Sequence, residues 1–138
     1  MVANKIIGQT KDAGFQIGVR KTFAVPVELA WEFLFSSKGL STWLGKLTIE
    51  EIEVGRPYKT KEGIEGKVNV FKPYSHIRLT WKPKDWTNTS SLQIRVIDSK
   101  GKSTISFHQD KLLSSKQRAE MKTYWSKVIE KINSELAN

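Results

Sequence analysis

The chain of 138 residues contains no cysteine and only 4 prolines. The missing cysteine excludes disulfides, zinc–thiolate sites, iron–sulfur clusters and a cysteine nucleophile. No stretch approaches the ~18 apolar residues that a membrane-spanning helix needs, and the first residues lack the apolar core of a secretion signal. These absences predict a cytoplasmic protein without a membrane span.

Positive charge is in excess, but it is not concentrated in one part of the sequence. The net charge is +9, and lysine and arginine are spread over most of the chain without a run of like charge. A scattered excess is typical of a solvated basic surface, which attracts phosphates but cannot read bases. The sequence therefore predicts no specific nucleic-acid partner.

The sequence also has little of the chemistry that metal sites and hydrolases need. Its only histidines, His76 and His108, fall on separate predicted strands without a carboxylate at ligand spacing. A Gly-x-Ser-x-Gly nucleophile motif is absent, and so is a glycine-rich phosphate loop. We therefore predict no metal ligand, no cofactor site and no catalytic residue.

Alternation of apolar and polar residues predicts an antiparallel sheet with one buried face. Strands are predicted at 15–23, 47–54 (with a bulge near Glu50), 58–61, 64–70, 76–82, 92–96 and 104–108. Two short helices, 26–36 and 40–44, follow the first strand and are separated by a break at 37–39.

The last element is the most clearly patterned. Ser114 and Gln117 have the spacing of a capping box, which marks a helix start. Beyond them one stripe at helical spacing consists of Arg118, Met121, Trp125, Val128, Ile129, Ile132 and Leu136. A long helix with a single apolar stripe needs a concave apolar partner, and the inner face of the sheet is the candidate.

This order of elements predicts an α+β helix-grip fold, in which a curved antiparallel sheet wraps around a long C-terminal helix. We expect one domain at 15–138, preceded by an extension at 1–14. A chain of this length fits one domain with a core of its own.

Several short motifs resemble the heat-shock ATPase activator-like family of the START-like, birch-pollen-allergen-like superfamily. They are the segment 21–31, Trp43-Leu44-Gly45, Gly66-Lys67-Val68, the strand 76–81, the strand 104–108, and the positions Ser115, Arg118, Met121 and Trp125. The resemblance covers about 20–132. It implies a cavity between sheet and long helix that binds apolar small molecules in some relatives, and a chaperone partner in others.

Five tryptophans provide candidates for such a cavity. Trp81 shares the inward parity of its strand, and Trp125 and Met121 lie on the stripe of the last helix. Trp43 follows the second short helix. The alternative for each of these residues is that it packs in the core and contacts no ligand. Trp86 lies in a loop, where it either guards the cavity mouth or is simply exposed.

Arg118 is the one charged residue on the last helix's stripe. Its head either reaches water at the helix start or anchors an anionic group of a ligand at the cavity mouth. The predicted ligand-binding set is therefore Trp43, Trp81, Arg118, Met121 and Trp125.

Three functions fit these observations. The first is a non-catalytic module that binds an apolar, aromatic or lipid-like molecule. The second is an interaction protein of the chaperone-partner type, which uses its basic surface on an acidic partner. The third is a cyclase or dehydratase, which would need an ionisable group inside the cavity, for which the sequence offers Arg118 and Arg95.

Overall fold

The computed structural model describes residues 9–10 and 14–137. Within these residues, seven strands form one antiparallel sheet in the order β1-β2-β7-β6-β5-β4-β3. Most of the predicted extension at 1–14 lies outside the described residues, although two of its residues form β1. The strands are β1 Gln9–Thr10, β2 Gly14–Phe23, β3 Pro57–Lys59, β4 Glu65–Lys72, β5 His76–Trp81, β6 Ser90–Ser99 and β7 Lys102–Leu112.

The described residues also form three α-helices. Two short ones follow β2, and the long one ends the chain: α1 Val27–Leu34, α2 Ser37–Trp43 and α3 Ser115–Leu136. The inward side chains of the sheet and the stripe of α3 form one buried apolar core. The predicted α+β helix-grip fold is therefore confirmed.

The start of α3 shows half of the expected capping box. The Ser114 hydroxyl accepts a hydrogen bond from the Gln117 backbone N–H at 3.1 Å. The Gln117 side chain does not return a bond to Ser114. Its oxygen instead accepts from the backbone N–H of Leu113 at 2.8 Å and from the Asn88 side chain at 2.9 Å. Gln117 thereby ties the start of α3 to the β5–β6 connection.

The predicted strand at 47–54 is wrong, because this segment contains a single 3-10 turn at Ile49–Glu51. The Glu51 carboxylate accepts a hydrogen bond from the Thr48 backbone N–H at 2.9 Å. This local contact favours a turn over an extended ladder. Ile49, which the strand pattern assigned to the core, is 40% exposed.

The predicted break at 37–39 is also wrong, since these residues form the first turn of α2. The Ser36 hydroxyl caps it by accepting from the Gly39 backbone N–H at 3.1 Å. A Cβ on Gly39 would lie 1.8 Å from the Phe33 carbonyl oxygen. Glycine is needed here so that α2 can pack directly against the end of α1.

Candidate ligand-binding site

A surface cavity of about 540 Å³, open to solvent on one side, lies between α2, the loop before β4, the β5–β6 connection and the first half of α3. We call it the α2–α3 cavity. Leu44 and Gly45 bound it on the α2 side, and Met121 and Tyr124 bound it on the α3 side. Its volume falls within the roughly 300–1,000 Å³ range of small-molecule sites.

Aromatic rings make one wall of the α2–α3 cavity. The ring centroids of Trp81 and Trp86 are 5.5 Å apart, and their planes meet at 77°. The centroids of Trp81 and Tyr124 are 5.9 Å apart. Edge-to-face ring pairs of this kind are favourable arrangements that hold one another in place. The wall is therefore an aromatic, mostly apolar surface.

Trp81 combines burial with an unused hydrogen-bond donor. It is only 2% exposed. Within the part of the chain that the structure describes, its indole Nε1 has no hydrogen-bond partner. Buried polar groups are nearly always paired, and an unpaired one costs about 1–3 kcal/mol. The Nε1 atom is itself closed off from solvent, so this donor belongs to the packed core behind the cavity wall.

The neighbouring Trp125 is fully paired. Its Nε1 donates to Gln109 Oε1 at 2.7 Å. The Gln109 side-chain nitrogen donates to Ser90 Oγ at 2.9 Å, and Ser90 Oγ donates to the Trp81 carbonyl at 2.5 Å. This hydrogen-bonded chain joins α3 to β7, β6 and β5. Trp125 also stacks on Phe107, with ring centroids 4.9 Å apart.

Two ionisable groups on the cavity wall have shifted pKa values. Hydrogen bonds from the backbone N–H groups of Glu62 itself and of Lys46 lower the pKa of the Glu62 carboxyl. Burial, followed by the nearby charge of Glu62, raises the pKa of the Tyr124 phenol. Both shifts move away from neutrality, so near neutral pH Glu62 stays ionised and Tyr124 stays protonated.

The structure brings together some of the predicted site residues and separates others. Trp81 and Met121 line the α2–α3 cavity. Trp125 lies behind Trp81, with ring centroids 5.7 Å apart, and is itself 1% exposed. It supports the wall and does not line the cavity.

Trp43 and Arg118 do not line the cavity. Trp43 is fully buried, and its Nε1 donates to the Leu34 carbonyl at 2.8 Å, which fastens α2 to α1. Arg118 Nε donates to the Gln16 carbonyl at 2.8 Å, which fastens α3 to β2. The anchor role expected for Arg118 has no support from this position.

A sequence profile described as "Activator of Hsp90 ATPase homolog 1-like protein" matches residues 24–137. The chain belongs to this family. The resemblance seen in the sequence motifs is thus confirmed, and with it the START-like (SRPBCC) superfamily. No curated protein sequence matches the chain significantly.

Solved structures share the family's fold at low sequence identity. DynU16, a protein of the dynemicin biosynthetic locus, is 14% identical with a TM-score of 0.79; the match covers 89% of this chain and 47% of DynU16. Aha1 from Colwellia psychrerythraea, solved as a dimer, is 17% identical with a TM-score of 0.66, over 88% of this chain and 95% of Aha1. An HSP90 activator from Plasmodium falciparum is 17% identical with a TM-score of 0.62, and the match covers 74% of this chain and 76% of the activator. This chain spans less than half the length of DynU16.

The family motifs did not identify every residue at the cavity. Glu62, Glu120 and Tyr124 line it, yet none of them is in the set of residues predicted from the sequence. For Glu120 and Tyr124 a signal exists, because they lie one turn apart on α3 and flank Met121. For Glu62 no local signal exists, since it lies in an irregular turn.

The described residues contain no group of three or more His, Cys, Asp or Glu side chains that could hold a metal ion. Among the same residues, no helix is long and apolar enough to cross a membrane.

Proposed function

We propose that this family member is a non-catalytic binding module that holds an apolar small molecule, aromatic or lipid-like, in the α2–α3 cavity. The observation that carries the proposal is the cavity of about 540 Å³ bounded by Trp81, Trp86 and Tyr124. Apolar cavities with a few orienting polar groups are typical of ligand sites. Flat aromatic walls suit a planar or chain-like apolar molecule.

The ionisable groups of the cavity favour binding over acid–base catalysis. General acids and bases work best when their pKa lies near the working pH. The pKa of Glu62 is lowered and that of Tyr124 is raised, so each is a poorer proton donor or acceptor than its unshifted counterpart near neutrality. Arg95 lies on β6, outside this cavity. A cyclase or dehydratase role thus has less support than binding.

N-phenylnaphthylamine, a neutral apolar fluorophore, is expected to bind saturably and to quench tryptophan fluorescence. Met121→Trp should weaken this binding by about tenfold or more, because a larger side chain at a 4% exposed position fills the cavity. The measurement is a fluorescence titration of both proteins, with a thermal melt to confirm that the variant is folded.

Lys127→Trp is the matched control, because it places the same side chain on the exposed side of α3 and should bind the probe like the parent protein. If a folded Met121→Trp variant binds as tightly as the parent, or if the parent binds no apolar probe, the cavity is not a ligand site.

A second proposed function is that of a chaperone partner. The observation that favours it is membership in a family named after activators of the Hsp90 ATPase. On this proposal, the purified protein should raise the rate of ATP hydrolysis by an Hsp90-type ATPase and co-sediment with it. Serum albumin at the same concentration serves as the control. An unchanged hydrolysis rate together with an absence of co-sedimentation would count against the proposal.

A further inference from the structure

Cationic side chains form a row across the face of the sheet that points away from α3. Arg20 is paired in register with Ser106, Ser106 with Arg95, Arg95 with His76, and His76 with Lys72. The row therefore crosses β2, β7, β6, β5 and β4. With strands about 4.8 Å apart, it is roughly 19 Å long. We call Arg20, Arg95, His76 and Lys72 the cationic row.

The strand alternation places these side chains outward. Their neighbours in sequence on the other face, such as Ile77 and Ile94, are fully buried under the helices. Successive side chains of a strand point to opposite faces, so the cationic row faces away from the core. Arg78 lies outward on β5, two residues beyond His76, and extends the positive surface.

The pKa of His76 also indicates that positive charges lie close together on this face. Burial, followed by the charges of Arg95, Lys72 and Arg78, lowers the pKa of the His76 imidazole. The hydroxyl of Ser75 lies 2.8 Å from its Nδ1. Cations on three strands thus act on one imidazole, which indicates a continuous positive surface and not isolated side chains.

Acidic residues of the described chain do not neutralise this surface. Both ion pairs among the described residues involve acids of α3, on the opposite face. On the five strands that the row crosses, the carboxylates at outward positions belong to Asp110 of β7 and Glu65 of β4. Glu65 lies seven residues from Lys72 on the same strand, which is roughly 23 Å away. Asp110 lies four residues from Ser106 on the same strand, which is about 13 Å away. The positive charge is left available for an external partner.

We propose that the cationic row is a docking surface for an extended acidic segment of a partner protein. A row of roughly 19 Å matches about six residues of extended chain, whose alternate side chains can present several carboxylates to it. Ser106 within the row and Gln93 beside it offer hydrogen-bond donors to such a segment. The proposal does not depend on the α2–α3 cavity.

An acidic polypeptide fits this face better than nucleic acid or lipid does. The outward positions of β2, β5, β6 and β7 contain no Phe, Tyr or Trp, the large rings on which bases stack best. Two large apolar residues are exposed on this face of the sheet, Val70 and Ile97, and they lie on either side of the cationic row. The face therefore offers no continuous apolar surface that could insert into a membrane.

A fluorescein-labelled peptide of alternating Glu and Asp is the probe, followed by fluorescence anisotropy. The triple variant Arg20→Gln, Arg78→Gln, Arg95→Gln is expected to weaken its binding at least about tenfold, because close charge pairs are lost. The matched control Lys122→Gln, Lys127→Gln, Lys131→Gln removes the same charge from exposed positions on α3 and should change the affinity by less than about twofold.

Three outcomes of the binding experiments would overturn the proposal. They are an equal loss of affinity in the two triple variants, equal binding of a Gln/Asn peptide of the same length, and tighter binding of single-stranded DNA or anionic vesicles than of the acidic peptide. A second measurement is the pKa of the His76 imidazole, determined by NMR titration with and without the acidic peptide. Bound carboxylates stabilise the imidazolium, so the peptide should raise the pKa of His76. An unchanged pKa in the saturated complex would place the peptide elsewhere.

Discussion

Deletion of residues 112–138 is expected to abolish cooperative unfolding. The segment contains α3, which buries five large apolar side chains: Met121, Trp125, Val128, Ile129 and Ile132. At ~1.5–3 kcal/mol for each, their burial contributes ~8–15 kcal/mol. This is as large as the entire stability of a typical domain, ~5–15 kcal/mol. The truncated chain would also expose the inner face of the sheet to water.

The measurement is a thermal melt of both chains followed by far-UV circular dichroism. Lys127→Ala with Lys131→Ala changes only the exposed side of α3 and should leave a sharp transition near that of the parent. A truncated chain that still melts in one sharp step would show that the sheet does not need α3 to fold.

Trp125→Ala is expected to be the most destabilising single substitution at the cavity wall. Removing a buried tryptophan costs about 3–5 kcal/mol through lost burial and the cavity left behind. Trp125 also donates to Gln109, whose side chain is fully buried. Its loss leaves the Gln109 oxygen without this donor, which adds about 1–3 kcal/mol. Urea denaturation of the two proteins measures the difference in the free energy of unfolding.

A pair of phenylalanine variants separates the hydrogen bond from the packing. Trp125→Phe and Trp81→Phe delete the same atoms, but only the first breaks a hydrogen bond, because Trp81 Nε1 has no partner within the described residues. We expect Trp125→Phe to cost about 1–3 kcal/mol more free energy of unfolding than Trp81→Phe. Equal costs would mean that the bond to Gln109 contributes nothing to stability.

The parts of the fold that the sequence predicted well are those in which one face of an element is buried. The stripe of α3 and the alternation of β4 to β7 follow directly from burial on one side. The segment 47–54 was misread because its apolar residues do not all reach the core, and the hydrogen bond between Thr48 and Glu51 selects a turn. A local polar contact of this kind is invisible to a pattern of apolar residues.

The cavity was only partly predictable, and the reason is geometric. Strand parity shows that Trp81 points inward, but parity does not say whether an inward side chain meets another side chain or an empty volume. That depends on how α2 and the β5–β6 connection pack over it. Trp43 and Arg118 have the same sequence signature as lining residues, yet each donates its side-chain N–H to a backbone carbonyl.

The buried bond between Trp125 and Gln109 also has a consequence for the dimensions of the cavity. A helix that packs through apolar contacts alone can rotate or slide by a turn at small cost, because such contacts have no direction. One directional bond in an apolar core penalises every other register, as a single polar residue does in a coiled coil. Met121 and Tyr124 belong to the same helix as Trp125. Together with the bonds of Arg118 and Gln117, the bond to Gln109 therefore fixes how far these two side chains stand from the tryptophan wall, and hence the width of the proposed ligand site.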